Sequence, residues 1–279
     1  MDALFRADRA TLMTEIVVHA VEEFDLDLNQ LNNDSTTVTF TGEYARADGK
    51  PARGRPTHRI IQGHNKDFRP DLKQLLFILT TTADGAVPIF SHVDHGNTSD
   101  DTTHIRTWES LRKLTGTADF RYVADCKLCT VQNLSYIATH GGRFVTVIPA
   151  TWREHAQFHT WLRSHAAPWI EVLRKANLRR KDGPADVYRG YEHPLRSAQG
   201  FRVLWYWSSQ KETLDRLARE HRIEAADKAL QALAARVGAP RSRLKSLEQV
   251  SAAAQKILQE KQVERFIRAE VTLLEEERF

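Results

Sequence analysis

Two aspartates, each tied to a short apolar run, are the residues best placed to do chemistry in this sequence. Asp34 opens the stretch NDSTTVTF (33–40), where β-branched residues alternate: Val38 and Phe40 point one way, Thr37 and Thr39 the other. That alternation predicts a half-buried strand. An acid beside Ser35 and Thr36 at the head of such a strand is either a turn former or a carboxylate facing a metal. Asp125 closes a second apolar run, FRYVADC (120–126), 91 residues further on. Two strands that each present one carboxylate suit divalent-metal phosphoryl transfer. Such chemistry can use two ions about 4 Å apart, one activating the attacking oxygen and one the leaving oxygen. Magnesium prefers oxygen ligands and keeps several waters, so two or three acids suffice. Taken singly, an aspartate at a strand end is more often a turn former or a helix cap.

The elements that must position these acids are read from periodicity. Leu12, Ile16, Val17, Ala20, Val21 and Phe24 predict an amphipathic helix over 9–24, capped by Asp8 or Thr11 and packed on the sheet. Residues 25–33 read as a polar connector and 36–41 as a strand. Residues 42–59, rich in Gly, Pro and Arg, read as a surface loop. LLFILTTTADG (75–85) and AVPIFSHVDHG (86–96) predict two strands joined at Asp84-Gly85. A helix over 103–114 should bury Ile105, Trp108, Leu111 and Leu114, with Asp94, Asp100 and Asp101 as loop and cap residues. Then come a strand at 120–126, a helix at 131–140 with Leu134, Ile137 and Ala138 inward, a stop at Gly141-Gly142, and a strand at 143–149. This βαβ unit should be parallel and right-handed. A meander followed by βαβ predicts a mixed α/β fold, a ribonuclease H-like mixed sheet flanked by helices. A mainly helical region follows, with helices over 209–237 and from a Ser246-x-x-Gln249 capping box, then a strand at 267–273. The expected division is a helical segment at 1–30, a core at 31–150 and a basic, mainly helical region at 151–279.

Composition narrows the function classes. The chain has 279 residues and 41% hydrophobic content, enough for a substantial core. No run approaches the roughly 20 apolar residues of a membrane span, and the first residues carry acids without an apolar h-region. The expectation is a cytosolic (cytoplasmic) protein with no membrane partner. Residues 1–150 carry 16 Lys+Arg against 19 Asp+Glu, a net of −3, and residues 151–279 carry 24 against 17, a net of +7. An acidic half that could hold metal before a basic half that could hold phosphates fits a nucleic-acid enzyme; a solvated arginine-rich surface fits as well. Lys66, Arg69 and Lys73, and the basic stretch holding Arg179, Arg180 and Lys181, are the candidate phosphate contacts. Cys126 and Cys129 read as ordinary buried thiols rather than a zinc or redox pair. His64, His92, His95 and His104 fit no standard zinc spacing. Trp152, Trp161, Trp169, Trp205 and Trp207 read as packing residues ahead of base-stacking ones.

Four stretches carry a resemblance. NDSTTVTFTGEY (33–44), GHNKDFRPDLKQ (63–74), DHGNTSDDTTHIRTW (94–108) and YVADCKLCT (122–130) resemble, in order and spacing, the bacterial insertion-sequence transposases of the DDE type, over about residues 1–210. The resemblance implies a ribonuclease H-like catalytic domain that uses Mg2+ or Mn2+. It implies cutting and joining of double-stranded DNA at transposon ends, with a homodimer possible. On it, Asp34 matches the first catalytic, metal-holding acid and Asp125 the second, and residues from about 150 resemble the segment inserted before the third. That third acid is a Glu in a helical Tyr, Arg, Glu, Lys pattern, which is not found; Glu275, Glu276 and Glu277 lack it. The start also lacks the N-terminal region such proteins often carry. The expectation is a transposase fragment that does little strand transfer by itself. The alternatives are a non-catalytic DNA-binding or dimerising fragment that modulates a full-length enzyme, or an unrelated nuclease of the same fold.

Overall fold

In a computed structural model the described residues are 3, 7–176, 183–237, 239, 242 and 244–272. They fall into two units, Met1–His165 and Ala166–Phe279. The first holds a five-stranded sheet: β1 (Gln30–Phe40), β2 (Lys73–Thr82), β3 (Pro88–His95), β4 (Arg121–Val123) and β5 (Arg143–Val145). The order is β3-β2-β1-β4-β5. β1, β2 and β3 pair antiparallel, while β1–β4 and β4–β5 are parallel. A meander joined to a βαβ unit is the ribonuclease H-like mixed sheet expected from the sequence. Helices α1 (Arg9–Phe24), α2 (His104–Thr115), α3 (Val131–Thr139) and α4 (Arg153–Leu162) accompany it.

Local chemistry explains these elements. Every second residue of β2 is buried, from Gln74 through Leu76 and Ile78 to Thr82, as period-two patterning demands of an inner strand. The β2–β3 hairpin turns at Gly85 (φ 68°) and Ala86 (φ 53°), consistent with Asp84-Gly85 as its signal. Thr130 Oγ1 caps α3 by accepting from Asn133 N at 3.1 Å. Gly141, at φ 79°, ends that helix, and Gly142 N donates back to Ile137 O at 2.9 Å. Trp108, Phe120, Tyr122, Leu31 and Ile137 form the packed centre between α2, α3 and the sheet.

Several expectations are corrected. β1 begins six residues earlier than the alternation suggested, because its polar residues are satisfied inside: Thr80 Oγ1 donates to Asn33 Oδ1 at 2.9 Å. Its inward face holds Leu31, Asn33 and Thr37, while Val38 is 43% exposed. The strand at 120–126 shortens to Arg121–Val123, and that at 143–149 to Arg143–Val145. α2 buries His104 and Thr107 beside Trp108 and Leu111, while Ile105 and Leu114 are half-buried. α3 buries Asn133 rather than Ala138. α1 forms and Asp8 caps it, accepting from Thr11 N at 3.3 Å. Its stripe is not packed as expected: Val17 is buried, but Ile16 is 53% and Phe24 73% exposed.

The second unit contains an antiparallel sheet, β6 (Ile170–Lys175), β7 (Asp186–Glu192) and β8 (Leu204–Ser208), which the sequence reading missed. The first compact unit ends at His165, so α4 belongs to it. α5 (Ser209–Arg236) and α6 (Leu247–Glu260) follow as expected, each capped by a serine, Ser208 and Ser246. Ala226, Leu258 and Val263 form their shared core, with Ile223, Leu230 and Ile267 against it. Residues 267–272 are not a strand; 273–279, with Glu275, Glu276 and Glu277, lie outside the described residues.

One close approach joins two of the motif stretches. A Cβ at Gly96 would collide with the carbonyl oxygens of Gln74 and Ile61, and one at Gly63 with the carbonyl of Gly96. The buried Gln74 side chain fastens this crossing, donating to Gly96 O at 2.7 Å and accepting from Asn65 Nδ2 at 3.0 Å. Because the obstacle is backbone, Gly96→Ala is expected to destabilise the protein by about 2–3 kcal/mol, read as a lower urea midpoint; an unchanged midpoint would contradict the crossing.

Candidate active site

Parallel register sets side by side the strand segments that lead to the two acids. β1 pairs β4 at Gln30–Arg121, Leu31–Tyr122 and Asn32–Val123. Two residues further along each chain stand Asp34, still within β1, and Asp125, two residues past the end of β4 and beyond the paired register. Adjacent strands lie about 4.8 Å apart. Both residues are exposed. Alternation gives them the parity of Asn32 and Val123, away from the buried Leu31 and Tyr122.

Each carboxylate is held locally by one backbone bond. Asp34 Oδ1 accepts from Ser35 N at 2.8 Å, and Asp125 Oδ1 accepts from Lys127 N at 2.8 Å. The turn after β4 is fixed further: Leu128 N donates to Asp125 O at 3.2 Å and Thr146 Oγ1 to the same oxygen at 2.6 Å. Among the described residues neither aspartate has an ion-pair partner. Carboxylate oxygens are the donors that a hard divalent cation takes. The donor set, two carboxylates open to solvent, fits one hard cation that retains waters. Among the described residues no group of three or more His, Cys, Asp or Glu could hold a metal, so no third protein ligand joins the pair.

The candidate phosphate contacts fare differently. Lys66 pairs with Asp100 at 3.1 Å, and Arg69 makes a two-pronged bond to Asp71 at 2.8 and 2.6 Å. That bond raises the Arg69 pKa and lowers that of Asp71. Lys73 donates to Glu43 O. All three are therefore engaged within the protein, and phosphate would have to compete for them. Arg179, Arg180 and Lys181 lie outside the described residues.

Sequence reasoning assigned Asp100 to a loop or cap and did not see its role beside the site. Asp100 starts a short 3-10 turn (Asp100–Thr102), accepts from Ser35 Oγ at 2.9 Å and keeps 12% of its side chain exposed. No local signal in the sequence links it to Lys66, 34 residues earlier. Asp94, similarly, accepts a salt bridge from Arg106 of α2. Cys129 is buried, its thiol pushed up to about 11 by burial first and the nearby Cys126 and Glu154 second; Cys126 is exposed, contrary to expectation. Trp152, Trp161, Trp169, Trp205 and Trp207 are all half-buried, leaving Trp108 as the fully buried indole.

His104 sits behind the pair. Its Nδ1 lies 3.0 Å from the Tyr122 hydroxyl, and its buried Nε2 has no hydrogen-bond partner among the described residues. Burial lowers its pKa, against the opposing pull of Asp125, Asp100 and Asp101. Burial also lowers the pKa of His58 and His92. The unfolded chain takes up protons on these rings near pH 6.5, where the folded chain resists them. Stability they contribute is complete above that pH and falls as the pH drops through and below it. Urea midpoints between pH 7.5 and 5.5 should therefore decline, and less steeply in His104→Asn; equal slopes would contradict a neutral His104.

No protein-family model and no curated protein matches the chain. Among solved structures, the piggyBac transposase synaptic complex with hairpin DNA is similar over 71% of this chain and 39% of its own, at 13% identity and TM-score 0.35. The Mos1 transposase paired-end complex with left transposon end is similar over 55% and 53%, at 11% identity and TM-score 0.28. The Mos1 strand transfer complex is similar over 54% and 46%, at 11% identity and TM-score 0.27. The chain thus spans between 39% and 53% of the length of these solved chains. At such values it is the strand order and register that define this fold, not the superpositions. No described helix is long and apolar enough to cross a membrane.

Proposed function

We propose that this chain is a DNA transposase polypeptide of the insertion-sequence type, in which Asp34 and Asp125 hold a divalent cation, Mg2+ or Mn2+, against a DNA backbone. The observation that supports this reading is that β1 and β4 pair in parallel up to Asn32 and Val123, with an exposed carboxylate two residues further along each chain. The ion, when bound, would polarise a phosphodiester and lower the pKa of a bound water. The chain's own part is to hold that ion with one carboxylate from each strand and to keep the Asp125 turn fixed through Thr146 and Leu128.

Two carboxylates lie in the described residues where the resembled family uses three. The chain by itself should therefore bind DNA more readily than it joins it. This favours, as a second reading, a non-catalytic DNA-binding or dimerising polypeptide that modulates a complete enzyme. Filter binding to duplex DNA bearing the ends of the element that encodes the chain separates the two. On the first reading, Mn2+ tightens binding by the wild-type chain and not by Asp34→Asn. On the second, binding is steeply salt-dependent and indifferent to both the ion and the substitution. Efficient cutting and joining by the purified chain would contradict the incomplete ligand set.

A further inference from the structure

We infer that Asp100 and Lys66 act as a positioning pair for Asp34, gripping the residue next to it and so setting where its carboxylate stands. The inference rests on the reading of Asp34 and Asp125 as a cation site. Past Asn32, β1 is paired with β2 alone, and side chains add a second attachment to that stretch. Ser35 is the point of attachment. Its hydroxyl donates to Asp100 Oδ2 at 2.9 Å and accepts from Lys66 Nζ at 3.0 Å; Lys66 also donates to the Ser35 carbonyl. Lys66 and Asp100 close the triangle at 3.1 Å. Ser35 N in turn donates to Asp34 Oδ1, so the clamp reaches the carboxylate through one residue.

Three motif stretches that the sequence spreads over 34–100 thereby meet at one serine, and Asp100 also lies within electrostatic reach of His104, which senses Asp125. Asp100 is too enclosed, at 12% side-chain exposure, to be an ordinary surface charge. It does not share the parity of Asp34, because its partner Ser35 points to the other face of β1. Its action is therefore on orientation and not as a third ligand.

Orientation and bare charge predict opposite signs for Lys66. If Lys66 only adds positive charge near the site, Lys66→Met should tighten cation binding. If it positions Asp34, Lys66→Met should weaken it. The experiment is Mn2+ titration of the full chain by electron paramagnetic resonance, with wild type, Lys66→Met, Asp100→Asn, the double variant and Asp34→Asn. Supporting groups one step from a ligand typically change metal affinity 10–100-fold. The expected result is about a tenfold weakening in each single variant, and no further weakening in the double. Asp100→Glu, which keeps the charge and the bonding atoms, should recover part of the loss and guards against an unfolded Asp100→Asn. Wild-type affinity, or tighter binding, in Lys66→Met overturns the inference while leaving the cation site intact, provided Asp34→Asn loses binding. A folded wild type that binds no Mn2+ at all overturns both.

Discussion

Replacing Asp34 or Asp125 with alanine is expected to lower Mn2+ affinity on the order of 100-fold or more, the upper end of what loss of a supporting group does and the least that loss of a ligand should do. With only two protein carboxylates facing the ion, each carries half of the protein's charge there, and no third His, Cys, Asp or Glu among the described residues stands ready to replace it. The same substitutions should leave the melting temperature of the metal-free protein little changed, since each removes an exposed carboxylate with no ion-pair partner among the described residues. Binding lost without stability lost marks residues kept for function rather than for the fold. Calorimetric titration beside a thermal melt reads both quantities. Loss of stability together with unchanged Mn2+ affinity would show that the acids are turn formers, the other role open to them from sequence.

The second large effect is structural. Trp108→Ala is expected to cost about 4 kcal/mol. The indole is fully buried and packs on Phe120 (centroids 6.2 Å) and Tyr136 (6.4 Å), with the Arg112 guanidinium 5.5 Å from its ring centre. These contacts join α2, the approach to β4, and α3, and so they fix the segment that ends in Asp125. For a unit of this size, 4 kcal/mol corresponds to a fall in melting temperature of roughly 10 °C. Trp108→Phe, which keeps an aromatic body and gives up the buried indole nitrogen that lacks a partner among the described residues, should cost clearly less. Equal costs for the two would mean that the site collapses around neither side chain.

What the sequence disclosed follows from where one signal dominates. The continuous apolar run 75–79 and the Asp84-Gly85 turn announced the hairpin, and the β4–α3–β5 unit was announced by its apolar runs and glycine stop. The Ser246 cap of α6 was equally plain, while the Ser208 cap of α5 went unread. Where polar residues are buried, the pattern misled. Asn32 and Asn33 read as connector, yet lie in β1 because β2 supplies Thr80 as a partner. Gln74 lies just before the expected strand at 75–85, yet is buried within β2 and bonded to the Gly96 carbonyl of a crossing formed only in three dimensions.

The second sheet was hidden for a different reason. β6 is exposed along its whole length, and β7 and β8 mix tyrosine, tryptophan and arginine on both faces, so no apolar alternation marks them. Of the candidate site, the two aspartates stood out in the sequence because one heads and the other closes a strand-like run. The Lys66–Asp100 pair was not, since nothing local in either stretch points across 34 residues to the other. Lys66 looked like a phosphate contact for the same reason that any loop lysine does.

The account stands on one spatial statement, and crystals of the full chain grown with Mn2+ test it most directly through the anomalous scattering of the ion. The predicted map has a peak within coordination distance of a carboxylate oxygen from both Asp34 and Asp125. A peak that touches only one of them, or manganese bound elsewhere with this pair bare, would contradict it.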